Sequence, residues 1–108
     1  MKARIHVQSY DASIWRGFER AEYNESSHLV GEGECISTEG LGVTYRFEIT
    51  GIRPGTVELV IRPDLLLQFS EQEQPVGALT LEVGNTARLQ TPSFDAWGNW
   101  LVSLIEVV

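Results

Sequence analysis

Cysteine, lysine, methionine and proline are all scarce in this chain: one, one, one and four residues in 108. The single Cys35 excludes an internal disulfide, fits a reducing compartment, and is expected to sit as a small buried hydrophobe. Few prolines, no internal repeat and no low-complexity tract leave no sign of a linker, so residues 1–108 read as a single domain. No apolar stretch approaches the roughly 20 residues of a membrane helix, and residues 1–6 lack the apolar run of a signal peptide. A cytoplasmic location is the expectation, with no membrane partner.

Positive charge is also short. Eight Lys and Arg stand against fifteen Asp and Glu, giving a net charge of −7. The excess is local: residues 21–40 carry five glutamates and no Lys or Arg, and residues 63–85 carry four acidic residues unopposed. Such a surface repels nucleic acid, which is excluded as a partner, and suits a basic protein. Solubility alone is the plainer reading of the same charge.

What the chain does have is short apolar alternation punctuated by ten glycines, the pattern of an antiparallel β-rich domain. Ala3, Ile5 and Val7 alternate with Lys2, Arg4, His6 and Gln8. Val43, Tyr45, Phe47 and Ile49 alternate with Thr44, Arg46 and Glu48, and Val57, Leu59 and Ile61 follow after Pro54-Gly55, which suits the centre of a type II turn. Residues 29–36 read as a strand weakened by Gly31 and Gly33, and residues 24–27 as a polar loop. Leu79, Leu81 and Val83 alternate before Gly84-Asn85, a favoured two-residue hairpin loop, with residues 86–90 as the return strand. Residues 64–69 read as one helical turn or a core-plugging loop. Ile14, Trp15, Phe18 and Ala21 give residues 11–22 a short helix capped by Asp11, with Gly17 against it.

The C-terminal segment carries the widest apolar stripe. At 3.6 residues per turn, Phe94, Trp97, Trp100, Leu101, Leu104, Ile105 and Val108 fall on one side and Asp95, Asn99, Ser103 and Glu106 on the other. Thr91-Pro92 supplies an N-cap followed by proline at the first helical position. The fold class expected from these segments is α+β. It is an antiparallel sheet or partly open small barrel of four to six short strands, with a C-terminal amphipathic helix packed on it and a short N-terminal helix.

No constellation of catalytic type is evident: no serine sits in a nucleophile elbow, and Gly31-Glu32-Gly33 puts a carboxylate where a phosphate loop needs neutral or positive groups. His28, Glu32 and Glu34 share a strand face, but without recognised metal-ligand spacing they read as a solvated acidic strand. No cofactor or metal is assigned. Arg46, Arg62 and Arg88, with Arg4, occupy outward strand positions, and on neighbouring strands they would form a face able to grip carboxylate or phosphate. Pairing with outward glutamates is the plainer reading. Trp100 and Val107, at the edges of the helical stripe, and Trp15 are the candidate contacts to a partner. The functional expectation is a non-enzymatic, acidic protein-interaction domain, self-association and homodimer formation included. Two alternatives stand beside it: a small-ligand-binding domain or small enzyme using a cleft near residues 63–77, and an inhibitor or immunity-type protein that binds a basic partner.

Overall fold

The computed structural model describes residues 1–13, 22–40, 43–67, 75–91 and 96–108. Within them the protein is all-β. The strands are β1 (Ala3–Ser13), β2 (Glu22–Val30), β3 (Cys35–Gly40), β4 (Val43–Arg53), β5 (Thr56–Leu67), β6 (Pro75–Glu82), β7 (Thr86–Gln90) and β8 (Ala96–Val107). The α+β expectation is therefore wrong, and no helix is present among the described residues.

All pairings between these strands are antiparallel, along the path β2-β1-β8-β7-β5-β4-β3 with β6 added to β5. The path folds into two layers, β2-β1-β8-β7 and β3-β4-β5-β6. Between β5 and β7, two rungs, Leu66↔Gln90 and Leu67↔Leu89, join them. Alternation fills the space between. Ala3, Ile5 and Val7 from β1 and Trp100, Val102 and Leu104 from β8 face Tyr45, Phe47 and Ile49 from β4 and Val57, Leu59 and Ile61 from β5. Two antiparallel layers burying their inner faces against each other form a β-sandwich.

The C-terminal segment is the main correction. Residues of β8 alternate: Gly98, Trp100, Val102 and Leu104 are buried, while Ile105 is 49% exposed. Leu104 pairs with Ile5 and Glu106 with Arg4, so Ile105 is the extra residue of a bulge. The helical stripe arises because outward Leu101 and Ile105 are apolar too, so that period two and period 3.6 both find apolar residues here. Thr91, read as an N-cap, is buried, and its Oγ1 accepts from the Gly98 N–H at 3.0 Å, seven residues on, closing the β7–β8 pair.

Local turn chemistry holds where it is specific. Arg53 and Thr56 pair across Pro54-Gly55, and Gly55 takes φ 80°, as a type II turn requires of its third residue. Gly84 likewise has φ 87°. The hairpin expected around it does not form: β6 pairs with β5 and β7 with β8. The turn instead carries the chain from one layer to the other, tied down by Val83 N–H to Gly55 O and Gly84 N–H to Leu104 O. Residues 24–27, expected as a loop, belong to β2, and residues 65–67 belong to β5 rather than to a helical turn. Of the helix expected over 11–22, the flanking residues are strand; the helical core of that expectation, residues 14–21, lies outside the described residues.

Candidate functional site

The residues singled out from the sequence do not converge. Trp100 is fully buried, its ring set edge-on to Tyr45 (centroids 4.9 Å, 61° between planes) and its Nε1 donating to Thr38 Oγ1 at 3.1 Å. It joins the two layers and offers no surface to a partner. Val107 is half-buried against the core edge. Trp15 lies outside the described residues.

Arg46 and Arg62 are exposed and directly in register on β4 and β5, whereas Arg88 and Arg4 point from the opposite layer, away from them. A single arginine face is thereby ruled out by the two-layer fold. Arg4 instead binds Glu106 through Nε to Oε1 at 2.8 Å. His28 Nε2 lies 2.8 Å from Ser26 Oγ, and Glu32 Oε1 accepts from the Ile52 N–H at 2.9 Å, capping a backbone group beside the irregular stretch of β4. No group of three His, Cys, Asp or Glu among the described residues could hold a metal. Cys35 is exposed, contrary to its expected burial, because Ile36 takes the inward position on β3.

Open depressions mark the described surface. One of about 400 Å³ lies between the edges of β6 and β7, lined by Leu79, Leu81, Glu82, Thr86 and Ala87. A second, of about 240 Å³, lies over Thr50, Glu58 and Thr80. A third, of about 260 Å³, lies on the outer face of the β2-β1-β8-β7 layer, lined by Gln8, Tyr10, Tyr23, Asn99 and Leu101.

That outer face carries a connected set of side-chain hydrogen bonds. Pairing across β2, β1, β8 and β7 places Tyr23, Tyr10, Asn99 and Gln90 in one row. The next row on this face is Glu25, Gln8, Leu101 and Arg88. Tyr10 and Tyr23 are direct cross-strand neighbours, 39% and 57% exposed. Their surroundings are fixed by hydrogen bonds: Gln8 Nε2 donates to Tyr23 OH at 3.0 Å, and Tyr23 OH donates to Glu25 Oε2 at 3.2 Å. Glu25 Oε1 lies 2.6 Å from His6 Nε2, and His6 Nδ1 lies 2.9 Å from Ser27 Oγ. Two aromatic rings, three amides and a leucine thus form an uncharged patch, with Glu25 and Arg88 at opposite margins. The expectations missed this patch because the helix reading of residues 11–22 hid the β1–β2 pairing. The signal was available in the outward alternation of Arg4, His6, Gln8 and Tyr10.

Comparison with protein-family models, with curated proteins and with solved structures gives no match for the chain. No helix among the described residues is long and apolar enough to cross a membrane.

Proposed function

We propose that this chain is a non-enzymatic protein-binding domain whose contact surface is the outer face of the β2-β1-β8-β7 layer. The observation that carries this reading is the Tyr10–Tyr23 pair, exposed and in register, with the Tyr23 hydroxyl held by Gln8 and Glu25. Tyrosine gives large amphipathic contact area at low entropic cost, and it is enriched at protein interfaces. Small molecules are held differently, in concavities of roughly 300–1,000 Å³ that bury most of the ligand. The depression beside Tyr10 and Tyr23 is about 260 Å³ and open, so it suits a protruding side chain better than an enclosed ligand. The domain acts in the cytoplasm, where the exposed Cys35 remains a thiol.

The test is a photo-crosslinking residue placed at Tyr23, compared with one at Thr44 on the outer face of the other layer, in cells making the protein. A covalent adduct with a polypeptide at position 23 and none at position 44 is expected. Equal adducts at both positions, or none at either, would overturn the reading.

A further inference from the structure

We infer that the partner this face fits is a second copy of the chain, related by a two-fold axis running parallel to the strands. The inference rests on the contact-surface reading above and adds the identity of the partner. A two-fold axis in the interface, parallel to the strands, keeps each cross-strand row facing its own copy and reverses strand order, so β2 lies over β7 and β1 over β8. In the row Glu25–Gln8–Leu101–Arg88, each Glu25 then meets the other copy's Arg88. Each Gln8 meets a Leu101.

The same operation puts Tyr23 over Gln90 and Tyr10 over Asn99, rings against amides. It also sets Arg4 over Glu106, turning the intrachain pair at 2.8 Å into a ring of four alternating charges. Every charge named in these rows then faces its opposite. An axis running across the strands would lay Glu25 over Ser27 and leave Arg88 without an acidic partner. Arg88 is exposed and has no ion pair among the described residues, so it is available for that role.

Net charge opposes association, but its reach is limited. Repulsion between two chains of −7 is long-range and is screened beyond about 8 Å at physiological salt. Glu32, Glu34 and Glu39 lie in the turn and strand beyond β2, off this face. The four strands at about 4.8 Å spacing and four rows along them give a contact of roughly 400 Å² per copy in projection. That is at the small end for interfaces, so the dimer is weak and forms with rising concentration.

Sedimentation at 0.15 M salt, up to about 1 mM protein, reads this directly. The wild type is expected to shift from monomer to dimer. Glu25→Arg or Arg88→Glu alone sets like charges face to face twice per dimer, and each is expected to weaken association at least about tenfold. An equimolar mixture of the two variants is expected to regain wild-type association within a few-fold, because every residue 25 then meets a residue 88 of opposite sign. Leu101→Glu, which buries a carboxylate beside the axis against the other copy's Gln8, is expected to weaken the dimer at least about tenfold and serves if the Glu25 variant does not fold. A wild type that stays monomeric, a mixture no tighter than its components, or an indifferent Leu101→Glu variant would each overturn the inference. A monomer whose position-23 crosslinker still captures a different polypeptide overturns the self-partner and leaves the contact surface standing. A monomer with no adduct overturns both.

Discussion

Replacing Trp100 tests the fold at the point where its two layers meet. The indole is fully buried on β8, edge-on to Tyr45 of β4, and donates a hydrogen bond to Thr38 of β3. Trp100→Ala leaves a large void and is expected to cost about 3–5 kcal/mol, comparable to much of the roughly 5–15 kcal/mol that holds a domain folded. Trp100→Phe is the more informative change. It keeps an aromatic ring but loses the hydrogen bond, worth about 1 kcal/mol, and part of the edge contact, worth about 0.5–1.5 kcal/mol. The expected cost is therefore about 1.5–2.5 kcal/mol. Thr38→Val leaves the indole N–H unpaired in a water-poor site and should cost about 1–3 kcal/mol in the wild type but much less once Phe occupies position 100. Urea unfolding followed by far-ultraviolet circular dichroism gives all four corners of this cycle. Refutation would be a Trp100→Phe cost below about 0.5 kcal/mol together with additive effects of the two substitutions, which would place the indole outside the core.

Two further outcomes follow from the backbone. Leu104→Lys should unfold the domain or cost several kcal/mol, whereas Ile105→Lys should change stability by less than about 0.5 kcal/mol, since one side chain is buried and its neighbour half-exposed. The same urea titrations check this, and comparable losses at both positions would restore the helical reading of the segment. Gly55→Ala forces a Cβ into φ 80° at the β4–β5 turn and should lower stability by about 1–2 kcal/mol, although no atom lies within 4 Å of the new carbon. A midpoint that is unchanged or raised would show that the turn does not need its left-handed residue.

The strands legible in the sequence are those with one clean periodicity. Ala3, Ile5 and Val7, then Tyr45, Phe47 and Ile49, then Val57, Leu59 and Ile61 alternate against polar neighbours, and all nine are buried. The turn at Pro54-Gly55 was legible for a similar reason, because few residues can take its backbone angles. The C-terminal strand was not. Its outward Leu101 and Ile105 complete an arc that a helix would also display, and only the β-branched Val102, Ile105, Val107 and Val108 leaned toward strand. The arrangement of layers was beyond local pattern. Nothing in Gly84-Asn85 distinguishes a hairpin from a turn that crosses between layers, because that difference lies in what β6 and β7 pair with. The site shared this fate. Each tyrosine was visible, but their meeting depends on the β1–β2 register, which no single segment encodes.

The place of β8 in its layer has a consequence for how the domain comes together. It follows all the other strands in the chain yet sits between β1 and β7, with Ala3 paired to Val107 at one end and Gln90 to Asn99 at the other. As the chain emerges during synthesis, β1 and β2 can form a hairpin and β4 and β5 another, but β7 has no bridge to β1 until β8 has appeared. The indole that spans the layers arrives with it. Half of the sandwich must therefore wait with an open edge and an uncovered apolar face, the circumstance in which long-range pairing makes folding slow and aggregation a hazard.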